Sequence, residues 1–159
     1  MFILSRGVKK IVCILLLLIT FTTACANRNL YQLKTNLSDR EGVENIISQM
    51  DWDGDKVKDF EVKGKNIAIT MSKDYEDYDL KNAKNFVVNA INLIILTDAQ
   101  DIDYIYNDEK LLLYIDYEMV DMILNTNYNK SIEDYKNNEE EFKKLQEYLK
   151  GFQVNGVKH

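Results

Sequence analysis

The chain has very few of the residues on which most catalytic and metal sites depend. Its 159 residues include two cysteines, one histidine and no proline. The histidine is His159, the last residue, on a tail that we expect to be frayed, which excludes Ser-His-Asp and Cys-His catalysis and most catalytic zinc sites. None of the six glycines forms a phosphate-binding loop, and no proline or Gly/Ser tract marks an internal linker.

The N-terminal region has the three parts of a cleavable secretion signal. Arg6, Lys9 and Lys10 precede an unbroken apolar run from Ile11 to Ile19, and the segment ends in Thr22-Thr23-Ala24-Cys25. These last four residues resemble the bacterial lipoprotein signal, in which a cysteine directly after the cut receives a diacylglyceryl thioether. We therefore expect Cys25 to be lipidated and to become the mature N-terminus.

Length distinguishes this signal from a membrane-spanning helix. The eleven residues from Ile11 to Phe21 would form roughly 17 Å of helix, against about 30 Å of hydrocarbon. An ordinary signal peptide cut near Ala24 and a retained anchor stay open as alternatives. The predicted organisation is a signal peptide over residues 1–24, a short tether over 25–29, and a single domain over 30–159 on the outer face of the cell membrane.

Removal of residues 1–24 leaves a strongly acidic body. That segment carries three positive charges and no negative ones, so cleavage moves the formal net charge from -6 to -9. The only other cysteine, Cys13, is discarded with it, which leaves no thiol for a disulfide, a zinc site or nucleophilic attack. Nucleic acid and anionic lipid should be repelled, and we expect basic partners and no cofactor.

The hydrophobic pattern predicts an α+β domain with two helix-then-hairpin units and a C-terminal helix packed on an antiparallel sheet. Two further helical segments are predicted, a short one at 119–124 and a last one that Ser131 caps. The main predicted elements are a helix capped by Ser38, strands over 57–62 and 67–71, a central helix over 79–96, and strands over 102–106 and 111–117. Pairing Val62 with Ile67, and Tyr106 with Leu111, places the apolar residues of each hairpin on one face.

The order of these elements, with the segments Asn89–Asp98 and Ile102–Tyr106, suggests a family. The chain resembles a domain of unknown function found in lipoproteins of low-GC Gram-positive bacteria and appended to membrane-bound sensor metallopeptidases. The resemblance covers roughly residues 30–150 and includes no catalytic signature. It implies an envelope-facing, non-catalytic domain.

Three carboxylates after the first helix are weak candidates for a calcium loop: Asp51, Asp53 and Asp55. The calcium loop requires glycine at position 6 and a bidentate glutamate at position 12, and this chain has Lys56 and Val62 there. The sequence therefore departs from the calcium-loop pattern at the two positions where the geometry of that loop is strictest. We therefore predict no metal site, with Trp52 holding the helix-to-strand turn instead.

The second hairpin supplies the candidate binding surface on its reverse face, which the register predicts to bear Asp101, Asp103, Ile105, Leu112, Tyr114 and Asp116. Asp101 lies opposite Asp116 in that register, and opposed like charges destabilise a sheet unless they are neutralised. A solvated face and a face for a cation or a basic ligand are both compatible with this pattern. The apolar members are either covered by the last helix or exposed as a contact patch.

Two function classes follow from the sequence. The first is a non-catalytic, lipid-anchored extracytoplasmic binding or interaction module that receives a basic envelope protein or peptide. The alternative is an envelope hydrolase that uses paired carboxylates. A deep pocket around two carboxylates would favour the hydrolase, and a shallow acidic or apolar sheet face would favour the module.

Overall fold

A computed structural model describes residues 29–52, 54, 56–72, 80–106 and 110–152. Its helices are a 3₁₀ turn at Leu30–Leu33, α1 (Arg40–Ser48), α2 (Leu80–Leu96), α3 (Tyr117–Tyr128), α4 (Ile132–Lys136) and α5 (Glu139–Lys150). Its strands are β1 (Val57–Lys63), β2 (Asn66–Met71), β3 (Asp101–Tyr106) and β4 (Lys110–Asp116). The four strands form one mixed sheet with helices packed against it, which confirms the α+β class.

The start of α1 differs from the prediction by one residue. The cap is Asp39, whose carboxylate accepts a hydrogen bond of 3.0 Å from the Gly42 backbone N–H. Thr35 donates its hydroxyl to the same carboxylate at 2.8 Å. Ser38 was the wrong cap, because a carboxylate accepts stronger hydrogen bonds than a hydroxyl and Thr35 holds it in place.

Both predicted hairpins form, but the pairing between them is parallel. Val62 pairs with Ile67 in the first hairpin, as predicted, and β2 and β3 then run side by side in the same direction. Parallel neighbours need a long crossover connection, which the segment containing α2 supplies. The expectation of a wholly antiparallel sheet was therefore wrong at this junction, because α2 returns the chain to the end of the sheet where β2 began.

A β-bulge changes the predicted register near the turn of the second hairpin. Tyr104 pairs with Leu113, as predicted, but Ile105 pairs with Leu111 and not with Leu112. The extra residue, Leu112, packs against the core, whereas Leu111 is 59% exposed. The predicted positions of these two leucines were therefore exchanged, since one inserted residue reverses the faces of the neighbours before it.

Helix α2 is the centre of the core, as its apolar composition predicted. Its buried side chains include Ala90, Ile91 and every residue from Leu93 to Leu96. The phenol of Tyr104 donates a hydrogen bond of 2.8 Å to the Phe86 carbonyl, which joins the sheet to this helix. The predicted start at residue 79 lies outside the described residues.

The C-terminal region contains more helix than the sequence predicted. Helix α3 extends well beyond the short segment predicted at 119–124. Ser131 caps α4, as predicted, and does so through a capping box, but this helix ends at Lys136 and Asn138 then caps a separate α5. Asparagine favours caps and turns over helix interiors, which accounts for the division of the predicted last helix.

Trp52 holds the turn between α1 and β1, as predicted. Its indole N–H donates a hydrogen bond of 3.0 Å to the Ile47 carbonyl, and its ring meets Tyr104 edge-on at a centroid distance of 6.2 Å. The indole is half-buried against the core. It therefore acts as a rim aromatic that closes one end of the packed layer.

Candidate interaction surface

Three of the predicted site residues, Cys25, Asp53 and Asp55, lie outside the described residues. Asp51 is exposed, and its backbone carbonyl accepts a hydrogen bond of 2.8 Å from the Asn89 side chain. Val62, at the position of the last calcium ligand, is half-buried against the core. Within the described residues, no group of three His, Cys, Asp or Glu side chains has a geometry that fits a metal ion.

The face of the sheet opposite the helices is the candidate surface, and we call it the open face. On β1 and β2 it comprises Asp59, Glu61, Lys63, Asn66, Ala68 and Thr70, and on β3 and β4 it comprises Asp101, Asp103, Ile105, Leu111, Tyr114 and Asp116. None of these residues is buried, and no described helix packs over them. The alternative in which the last helix covers this face was therefore wrong, since α5 packs on α2 instead, where Gln146 donates to Asn92 at 2.7 Å.

Tyr114 and Asp101 form the centre of the candidate site. The Tyr114 hydroxyl donates a hydrogen bond of 2.9 Å to the Asp101 carboxylate on the neighbouring strand. This bond, then partial desolvation and the negative charges of Asp101, Asp116 and Asp103, raise the pKa of Tyr114 to about 12. The phenol therefore stays protonated at neutral pH and acts as a donor to the carboxylate.

The other two predicted carboxylates also accept hydrogen bonds from neutral groups. Asp103 accepts a hydrogen bond of 2.9 Å from the Asn66 amide, and Asp116 accepts one of 2.7 Å from the Met119 backbone N–H at the start of α3. Asp101 and Asp116 lie directly opposite each other, as predicted. Hydrogen bonds thus hold these carboxylates in position without cancelling their charge.

On the first hairpin, the open-face carboxylates have cationic partners. Asp59 lies 3.6 Å from the Arg40 guanidinium, and Glu61 lies 2.8 Å from the Lys63 ammonium. No described lysine or arginine pairs with Asp101, Asp103 or Asp116. The uncompensated negative charge of the open face is therefore concentrated on β3 and β4.

An open, shallow cavity of about 400 Å³ lies at the end of the sheet where β4 leads into α3, lined by Gln100, Asp101, Tyr114, Asp116, Tyr117 and Glu118. Burial, followed by the charges of Glu133 and Asp121, raises the pKa of Tyr117 as well. Tyr114 is 41% exposed at this cavity. The cavity therefore offers protonated phenols and carboxylates to a basic ligand.

The apolar members of the predicted site are only partly brought together. Ile105 lies on the open face, half-buried between its neighbours, whereas Leu112 is turned to the core by the bulge. Leu111 lies on the open face in place of Leu112, and the sequence did not identify it as a site residue. The pattern of alternation in Lys110–Asp116 contains no signal for the bulge, because three consecutive leucines fit either register.

Comparison of the chain with models of known families, with curated proteins and with solved structures finds no match. In the part of the chain that the structure describes, no helix combines the length and the apolar character that crossing a bilayer requires.

Proposed function

We propose that this protein is a lipid-anchored extracytoplasmic binding module of the bacterial cell envelope, which receives a basic segment of a partner protein on its open face. The observation that carries the proposal is the set of three carboxylates on β3 and β4. They are positioned by neutral donors, are partly exposed and have no described cationic partner. A basic side chain placed among them would gain charge-assisted hydrogen bonds.

The position of the first described residues supports this role. The Asn29 amide donates to the Glu139 carboxylate on α5, and the Tyr31 ring lies 5.5 Å from the Phe142 ring. Cys25 precedes Asn29 by four residues, a reach of at most about 14 Å. A lipid on Cys25 would therefore attach the domain to the membrane from its helical side, and not from the open face.

The engagement of the carboxylates favours binding over the carboxylate hydrolase. Asp101 is occupied by a phenol, and Asp116 caps a helix. A retaining or inverting glycosidase places two carboxyl groups on either side of a bound sugar ring, whereas these carboxylates line an open depression on the sheet face. These carboxylates serve the fold and present charge.

The anchor is tested by replacing Cys25 with serine, with Cys13→Ser as the matched control. We expect Cys25→Ser to release the protein from membranes or leave it unprocessed, because serine lacks the thiol that would receive the diacylglyceryl group, whose two acyl chains give stable anchoring. Cys13→Ser should remain lipidated. Mass spectrometry of the wild type that finds an uncut chain with an unmodified Cys25 would contradict the proposal.

The surface is tested by affinity purification from native membranes with the double substitution Asp103→Asn and Asp116→Asn. Both asparagines keep a carbonyl acceptor for the Asn66 and Met119 donors, so the fold should be preserved. The control is Asp59→Asn with Glu61→Asn, which removes carboxylates from the same face that already have cationic partners.

We expect the β3/β4 substitution to weaken capture of the partner strongly, the β1 control to weaken it little, and added salt to weaken it throughout. A partner that is indifferent both to the substitution and to salt would place the contact elsewhere.

A further inference from the structure

The outer edge of β4 is a free edge of the sheet. The strand order is β1-β2-β3-β4, so β4 pairs with β3 on one side only. Among the described residues, no strand pairs with its other side, and the helix with the most contact to it is α3, which directly follows it in the chain. Backbone N–H and C=O groups on such an edge are available to another strand.

The two edges of this sheet differ in how they are protected. The β1 edge has charged side chains at four of its seven positions, Lys58, Asp59, Glu61 and Lys63. On β4 the only charged residues are Lys110 and Asp116, at its two ends, and five apolar or aromatic residues lie between them. Natural proteins use charges to block pairing at an edge, and β4 lacks them along its centre.

The open-face side chains of β4 are also those that would meet an added strand. Leu111 is 59% and Tyr114 is 41% exposed, and Asp116 follows on the same face. An apolar residue, a phenol and a carboxylate therefore alternate along this side of the edge. A strand that pairs with β4 would bury the first two and approach the third.

Charge decides which strand fits. In an antiparallel pairing of β4 with a second copy centred near these residues, the two open faces would be continuous, and the Tyr114 and Asp116 side chains of both copies would lie together with no described cation on that face of β4. Such a pairing doubles the negative charge at the junction. A strand with lysine or arginine at alternate positions brings the opposite charge to the same side.

We propose that β4 receives an extended basic segment of a partner protein as a fifth strand, with alternate lysine or arginine side chains lying beside Tyr114 and Asp116. This inference rests on the proposed function and adds the mode of binding. Main-chain hydrogen bonds would supply affinity, and the carboxylates would select the basic sequence.

The experiment uses the mature lipidated protein in detergent micelles and a capped peptide of about eight alternating Lys and Val residues, long enough to span β4. We expect salt-sensitive binding, with slower hydrogen exchange at the backbone amides of β4. The corresponding Glu-Val peptide should not bind. Two peptides test main-chain pairing, one N-methylated at its odd-numbered residues and one at its even-numbered residues. The peptide whose methylated amides would face β4 should lose about tenfold or more in affinity.

Leu111→Lys is the matched variant of the protein. Its side chain is exposed, so the fold should survive, while the added charge repels the peptide at the strand edge. Gln49→Lys adds the same charge at an exposed position after α1, the helix whose Arg40 contacts β1 at the far edge. We expect Leu111→Lys to weaken peptide binding about tenfold and Gln49→Lys to leave it nearly unchanged.

Different results separate this inference from the proposed function. If the peptide binds and is weakened by Asp103→Asn with Asp116→Asn, yet tolerates N-methylation and Leu111→Lys, the open face binds by charge alone and edge pairing is wrong. Absence of peptide binding at low salt also overturns edge pairing, and partner capture then tests the face by itself. A dimer that Leu111→Lys dissociates would identify a second copy as the occupant and overturn the inference.

Discussion

The phenol of Tyr104, fully buried on β3, donates a hydrogen bond of 2.8 Å to the backbone carbonyl of Phe86 on α2. The two rings also pack at a centroid distance of 4.8 Å. Burial, followed by the nearby Tyr106 phenol, raises the pKa of Tyr104 well above its ordinary value. The hydrogen bond and the ring contact join α2 to β3, and the Tyr104 hydroxyl therefore acts as a structural donor.

We expect Tyr104→Phe to lower the free energy of unfolding by about 1 kcal/mol, the net worth of a buried hydrogen bond. Tyr135→Phe is the matched control, because the Tyr135 hydroxyl is buried with no hydrogen-bond partner in the described part of the chain. Removing that hydroxyl should leave stability unchanged or raise it. Urea denaturation of both variants gives the comparison, and an equal loss in the two would contradict this assignment.

The fold could be predicted from the sequence where local signals act alone. In the first hairpin Phe60 and Val62 on β1 alternate with charged residues, Ile67, Ile69 and Met71 lie at every second position of β2, and only the Val62–Ile67 register places them on one face. The apolar composition of α2 likewise predicted that this helix lies at the centre of the core. Both predictions were confirmed because each depends on residues close together in the chain.

Long-range geometry could not be predicted in the same way. No local pattern states whether β2 meets β3 in parallel or antiparallel, since that depends on where α2 returns the chain. The bulge at Leu112 was equally hidden, because three leucines in sequence carry no alternation to fix the register. As a result, the observed open face contains the acidic residues that were predicted, but Leu111 lies there in place of Leu112.

Two adjacent residues compete for the cap of α1, and the structure assigns it to Asp39. The Gly42 N–H, followed by the Thr35 hydroxyl, lowers the pKa of Asp39, so its charged form is favoured in the folded state. We expect Asp39→Ala to lower the melting temperature and Ser38→Ala to change it little. Equal losses would instead support a shared cap.

The contribution of Asp39 should also depend on pH. Because its pKa is lower in the folded state, the stabilisation is present above the unfolded value of about 3.8 and disappears as the pH falls through the folded value. The difference in melting temperature between wild type and Asp39→Ala should therefore shrink on acidification below pH 4. A difference that is constant with pH would contradict the charged cap.

Asp116 has two tasks, since it caps α3 and belongs to the open face. Loss of an N-cap side chain costs about 1 kcal/mol, whereas asparagine caps as well as aspartate. We expect Asp116→Ala to lower the free energy of unfolding by about that amount and Asp116→Asn to preserve it. Thermal or urea unfolding checks this, and an Asp116→Asn variant as unstable as Asp116→Ala would show that the charge itself maintains the fold.

The Tyr114–Asp101 bond makes a prediction at high pH. The pKa of Tyr114 is raised to about 12, and its hydrogen bond to Asp101 is the largest cause. Asp101→Asn should therefore bring the pKa of Tyr114 down towards its ordinary value near 10. Asp59→Asn, on the far side of the same face, should leave it unchanged.

Proton linkage gives the effect on stability. Below about pH 10 the phenol is protonated in both the folded and the unfolded states, so the bond contributes fully. As the pH rises towards the folded value of about 12, the unfolded phenol releases its proton first, and the contribution is progressively lost. The chain has ten tyrosines, so the titration of Tyr114 should be followed by NMR of ring-labelled tyrosine, with Tyr114→Phe to assign its signal. A Tyr114 signal that titrates near pH 10 in the wild type would show that the phenol and Asp101 are not bonded in solution, and the acidic centre of the open face would then be free to rearrange.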